Sequence, residues 1–297
     1  MVLLKNQKDF ILSIFYIICY NRIIFGGVYI MEERHKFKKC FGQNFLIDNN
    51  VIEKIVKGAD VDKETLVIEI GPGEGAITKR LVPLSRQAIL YEIDNSLEEK
   101  LNNLLKDYDN KEIIIGDFLK TDIKKDVSFY NFDKMYVVAN LPYYITTPII
   151  MKFIDEDVLP DKFVIMIQKE VAQRLSSKVG SRDYGSLTVF LNYYYDIKIL
   201  FDVSRNCFIP KPNVESAVIS MTKKKDRLNV LDMDLFKRLV RDSFSYKRKT
   251  IRNNLKNYNL EVVERVLNKY GFDLSVRSEN LELEVFVNIA NELVVNK

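Results

Sequence analysis

Seven short apolar runs constrain the fold of this chain more than any other feature. They are "TLVIEI" (65–70), "AILYEI" (88–93), "EIIIGD" (112–117), "KMYVVA" (134–139), "FVIMI" (163–167), "YDIKILFDV" (195–203) and "SAVISMT" (216–222). Several are apolar throughout rather than at alternate positions, the pattern of strands covered on both faces. The covers lie between them. "DNNVIEKIVKGAD" opens with Asp48 as an N-cap and repeats apolar residues at 51, 52, 55 and 56; "NSLEEKLNNLLKDY" does the same with Leu97, Leu101, Leu104 and Leu105. Covered strands separated by helices predict an α/β fold with a doubly wound, mostly parallel sheet.

After "KKKDR" (223–227) the pattern changes to helices only, in "MDLFKRLVRDSFSYKRKTIRNNLKNY", "LEVVERVLNKYGF" and "SENLELEVFVNIANELV". A boundary is therefore expected at 222/223, with a sheet domain over 31–222 and a small all-α domain over 223–297. The 297 residues, 47% of them hydrophobic, suffice for two cores. Residues 1–30 stand apart. "FILSIFYIICYNRIIFGGVYI" (10–30) approaches the ~20 apolar residues of a membrane span, yet Asn21 and Arg22 interrupt its centre and no small-x-small cleavage site follows. A superfluous extension ahead of a natural start at Met31, a membrane anchor and a secretion signal are the three readings, and the first is preferred.

Net charge is +4, so composition permits a polyanionic partner without demanding one. Its distribution says more. Between 237 and 256 lie Lys237, Arg238, Arg241, Lys247, Arg248, Lys249, Arg252 and Lys256 against one acid, Asp242, while Leu239, Val240, Phe244, Ile251 and Leu255 supply an inner face. Surfaces that are merely soluble mix signs, so these helices are read as a phosphate-binding face. The three cysteines, Cys19, Cys40 and Cys207, form no CxxC pair, and His35 is the single histidine. Disulfide frameworks, zinc sites and histidine-served nucleophiles are set aside, no metal is expected, and a reducing cytoplasm fits best.

"VIEIGPGEGAIT" (67–78) joins a strand to a helix through Gly71, Gly73 and Gly75. Such a turn brings backbone close to a ligand, but G-x-G-x-G is neither the dinucleotide fingerprint nor a P-loop. The next two strands end in Glu92 and Asp117. Alone, each reads as a cap or turn acid; together at successive strand ends they suit the ribose hydroxyls and adenine amine of a nucleoside. No cations in the turn await a pyrophosphate, so the ligand is expected to be an adenosine without phosphates.

The fourth strand ends in "NLPYYITTPI" (140–149). The Asn140 side-chain oxygen and the Leu141 carbonyl can accept from an amino group, Pro142 fixes the backbone, and Tyr143 offers a flat face to a base. This describes an exocyclic aromatic amine, whose lone pair is delocalised into its ring. Two acceptors on its hydrogens favour a pyramidal nitrogen and stabilise the charge that grows as it attacks. The bland alternative is a structural Asn-Pro turn.

"FGQNFL" (41–46), "EIGPGEG" (69–75), "NLPYYITTPI", "FIPKPNVESAV" (208–218) and "SFSYKRKTIRNNL" (243–255) together resemble the KsgA/RsmA family, in family order from Phe41 to about Ala290. The resemblance implies a seven-stranded Rossmann-like S-adenosylmethionine methyltransferase domain followed by the helical domain. It implies dimethylation of the N6 amines of two adjacent adenosines near the 3′ end of 16S rRNA, in the immature small subunit, by a cytoplasmic monomer without a membrane partner. Asn44 and Leu46 would cover the cofactor, Gly71 and Gly73 would face its methionine part, Glu92 its ribose and Asp117 its adenine. Asn140 would border the cofactor and, with Leu141 and Tyr143, hold the target adenine; Phe208 would stack on its other face. Lys247, Arg248, Lys249 and Arg252 would bind RNA. Residues 1–30 and "SRN" (204–206), in place of prolines common before that Phe, depart from the pattern. The alternatives are an Erm-type 23S rRNA enzyme, a DNA adenine methyltransferase lacking its recognition insert, and, in another class, an assembly factor whose catalysis is dispensable.

Overall fold

The computed structural model describes residues 44–296, so the apolar extension, Cys19, His35 and Cys40 lie outside the described residues. The described residues all belong to one compact unit, Phe41–Lys297. Its centre is a seven-stranded sheet formed by β2 (Thr65–Ile70), β3 (Gln87–Glu92), β4 (Lys111–Ile115), β5 (Lys134–Asn140), β6 (Lys162–Gln168), β7 (Tyr195–Val203) and β9 (Ser216–Lys223). The strands lie in the order β4-β3-β2-β5-β6-β9-β7. All seven apolar runs are strands. The pairs from β4 to β6 are parallel, and β9 runs against both β6 and β7.

Alternation sorts the sheet residues onto two faces. Leu66, Ile68, Ile70, Val137 and Ala139 join the larger apolar cluster, while Val67, Val138, Val164 and Met166 join a second one with Ile52 and Ile55. Those isoleucines belong to α1 (Asn49–Ala59), whose N-cap Asp48 accepts from the Asn50 and Val51 main-chain N–H groups, as expected. The larger cluster continues without a break past residue 222 into Phe236, Leu239, Val263 and Phe286. These lie on α8 (Met233–Ser243), α10 (Leu260–Lys269) and α11 (Leu283–Val295). The change at 222/223 is thus a change from sheet to helices around a shared core.

The basic stretch corrects one expectation. It is not continuously helical: α8 stops at Ser243, and α9 (Ile251–Asn254) starts after an exposed turn carrying Lys247, Arg248 and Lys249. Asn254 explains the interruption. Its side chain takes the Ser243 carbonyl (2.6 Å) and the Tyr246 N–H (3.2 Å), satisfying main-chain groups that a longer helix would have used.

Candidate active site

The chain winds β2, β3, β4 to one side and then starts again with β5 beside β2. Ligands bind at such reversals, outside the strand C-termini, and this one sets the glycine turn after β2 next to Asn140 at the end of β5. Gly71, Gly73 and Gly75 all adopt positive φ (+70°, +58° and +80°), which side chains disfavour. No atom lies within 4 Å of the place where a Gly71 Cβ would stand, whereas a Gly73 Cβ would meet the Phe45 ring at 3.0 Å. One glycine therefore faces open space and the next is pressed against the N-terminal segment.

That segment forms a small ribbon that the sequence does not announce. β1 (Phe45–Leu46) pairs antiparallel with β8 (Phe208–Ile209), placing Leu46 opposite Phe208. Both side chains are buried in the cluster under α1. A hydrogen bond joins this segment to the strand end, with Asn140 Nδ2 donating to the Asn44 carbonyl (3.0 Å). A carbonyl only accepts, so this contact fixes which end of the amide points where and leaves Oδ1 as the acceptor end. Leu141 is buried and its N–H donates to the Met166 carbonyl (3.1 Å). The Tyr143 hydroxyl meets buried Ser216 Oγ at 2.6 Å, which locks the ring. Burial raises the Tyr143 pKa, partly offset by that bond.

The acids divide between ligand and backbone. Glu92 is buried, and its oxygens accept from the Gly73 and Asp94 N–H groups, each at 2.9 Å, so it also shapes the glycine turn. Burial raises its pKa against the pull of those two N–H groups. Asp117 caps the short helix that follows it, accepting from Leu119 N–H at 3.0 Å. Its other oxygen lies 3.7 Å from Lys120 Nζ. Capping leaves room for a ligand, because a carboxylate has more lone pairs than one N–H can use.

Glu69 is not among the residues expected from the sequence, where its one signal is an acid one residue from the end of an otherwise apolar strand. It is fully buried, and neither its Oε2 nor the nearby Thr78 hydroxyl has a hydrogen-bond partner among the described residues. Burial pushes its pKa up to about 8, and the Glu92 charge acts in the same direction. The acid is thus held protonated near neutral pH, and a cation arriving beside it would favour the charged form. Glu69 at the end of β2, Glu92 at the end of β3 and Asp117 just after β4 could serve as acceptors for an ammonium, ribose hydroxyls and an adenine amine. S-adenosylmethionine carries these donors, and the residues fit it.

Of the basic residues, Lys237 is tied to Asp155 (3.2 Å) and Arg241 to Asp242 (3.0 Å). Lys247, Arg248, Lys249 and Arg252 are exposed and form no ion pair among the described residues.

The family model described as ribosomal RNA adenine dimethylase matches residues 34–294. The chain belongs to the ribosomal RNA adenine dimethylase family. It is 42% identical over 271 residues to the ribosomal RNA small subunit methyltransferase A of Bacillus mycoides, covering 88% of this chain and 92% of that protein. Among solved structures it resembles a dimethyladenosine transferase from Plasmodium falciparum (TM-score 0.72, 28% identity, 84% of this chain and 98% of that one). It also resembles the 23S rRNA methyltransferase ErmE (TM-score 0.67, 26% identity, 84% and 100%). The dimethylase is thus a methyltransferase acting on ribosomal RNA, with S-adenosylmethionine as donor. Among its described residues no helix is long and apolar enough to cross a membrane.

Proposed function

We propose that this dimethylase converts two adjacent adenosines near the 3′ end of 16S rRNA to N6,N6-dimethyladenosine in the immature small ribosomal subunit, acting as a monomer in the cytoplasm. The pinned Asn140 amide carries the reading of the chemistry. With Nδ2 held by the Asn44 carbonyl, Oδ1 is oriented in advance to accept from the substrate amine, and the Leu141 carbonyl takes the second hydrogen. Acceptors already in place stabilise the developing charge without reorganising at the moment of reaction. When bound, S-adenosylmethionine supplies an electrophilic methyl group. Tyr143, held by Ser216, presents its ring to one face of an adenine that has left its stack. Phe208, only 3% exposed, is packed in the cluster under α1, so the stacking expected of it would require it to leave that cluster.

The choice of the small subunit rests on the 42% identity to a small-subunit enzyme, against 26% for ErmE. We also read 31–222 as the methyl-transfer part, 223–297 as the RNA-gripping part and residues 1–30 as dispensable. Mass spectrometry of both rRNAs from cells with and without the gene tests this. The expected result is loss of paired dimethyladenosines from 16S rRNA and their return with a chain starting at Met31. Unchanged 16S rRNA with altered 23S rRNA would identify an Erm-type enzyme instead.

A further inference from the structure

The basic turn holds one residue that gripping phosphates does not require. Tyr246 is 65% exposed, next to Lys247, Arg248 and Lys249. Phe244, two residues earlier, packs its ring on Tyr184 and Phe286, so an aromatic in this segment can find cover. Tyr246 is kept outside by its backbone. Its N–H donates to Asn254 Oδ1 (3.2 Å), and its carbonyl accepts from Asn254 Nδ2 (3.4 Å) and from Lys249 N–H (2.9 Å). Asn254 is anchored in turn through the Ser243 carbonyl (2.6 Å), and the far side of the turn is fixed by Ile251 N–H to the Val276 carbonyl (2.8 Å). These bonds hold the main chain of the turn, while the exposed ring stands among cations that form no ion pair among the described residues.

Rigid aromatic rings flanked by phosphate-binding cations are how proteins hold unpaired nucleobases, since every base has a π-face to offer. We propose that Tyr246 stacks on an unpaired base of the RNA substrate, adding a base contact to the phosphate grip of Lys247, Arg248 and Lys249. The ring favours RNA over an acidic protein surface because stacking needs only a flat partner beside phosphates, whatever its sequence. This inference rests on the reading of the turn as an RNA grip.

The chain contains no tryptophan, so Tyr246→Trp in the full-length protein places a lone indole reporter at the site. Short single-stranded oligoadenylate should quench its fluorescence, while heparin, a polyanion without bases, should bind and leave it bright. Tyr246→Ala should weaken oligoadenylate binding about 5- to 150-fold, the range for removing one stacked base, without changing the slope of log K against log salt. Tyr246→Phe should bind within about twofold of wild type, since stacking uses the ring. Equal quenching by heparin, a salt slope that falls in Tyr246→Ala, or an unchanged affinity would each overturn the stacking role. If Tyr246→Ala binds normally while Lys247→Ala lowers the slope, the RNA grip stands and only the stacking fails. If neither variant has an effect, the grip itself is wrong.

Discussion

Asn140 and Asn254 both bind main-chain groups across a turn, but they are used to different extents. Asn140 gives its Nδ2 to Asn44 and keeps an acceptor in hand. Asn254 commits both ends, to Ser243 and to Tyr246, and leaves the neighbouring side chains free. The first turn is wedged between strands, with Leu141 buried and Tyr143 bonded to Ser216. The second is exposed, fixed in its backbone and loose in its cations. Methyl transfer needs atoms held before the substrate arrives, whereas a grip on phosphates needs charge that can adapt to a backbone. On the function proposed above, the two turns would divide those tasks.

The largest expected effect comes from emptying the working amide. Asn140→Ala should keep the fold by circular dichroism and most cofactor affinity by calorimetry, yet lower methyl transfer by roughly 10²–10³, the usual cost of one transition-state hydrogen-bonding group. Near-normal transfer would reduce "NLPYY" to a rigid turn.

The second turn should fail differently. Replacing Lys247, Arg248 and Arg252 with Ala should weaken RNA binding, with cofactor binding unchanged. The slope of log K against log salt should fall by about 0.7–0.9 for every phosphate that the variant no longer neutralises. An unchanged slope would make this cluster a solvated surface.

Tyr143 sharpens the comparison further. Tyr143→Ala removes the ring and should damage transfer clearly. Tyr143→Phe keeps the ring but leaves buried Ser216 without its 2.6 Å partner, a loss of about 1–3 kcal/mol in stability. Its effect on rate should be modest, and a lower melting temperature would report the broken bond.

The smallest expected effect is a slope. The folded-state pKa of Glu69, about 8, lies above its ordinary 4.5. The folded protein therefore holds this proton more tightly, so the associated stability is complete below about 4.5 and is lost as pH rises through about 8. Without cofactor, the melting temperature should fall over that interval more steeply in wild type than in Glu69→Gln. Parallel curves would show that Glu69 titrates normally.

The sheet was legible because strands covered on both faces write themselves as unbroken apolar runs, and all seven are present within a residue or two of the expected ends. The β1–β8 ribbon was not: two residues per strand carry no period, and its pairing joins positions more than 160 apart, Phe45 with Ile209. Asn140, Glu92 and Asp117 could be named as candidates because strand ends announce themselves. Glu69 could not, since one acid in an apolar run looks like a flaw until its burial is seen. The helix break before Lys247 was hidden because Asn254, which causes it, acts from eight positions beyond Tyr246.

Single-turnover methyl transfer to immature small subunits, taken to saturating subunit concentration, compares the two turns most directly. For Asn140→Ala the limiting rate should fall by roughly 10²–10³ while the half-saturating concentration stays put. For the variant lacking Lys247, Arg248 and Arg252 the half-saturating concentration should rise while the limiting rate returns to that of wild type. If Asn140→Ala were rescued by saturation, or if the cation variant kept a depressed limiting rate, the division of labour between the two turns would be wrong.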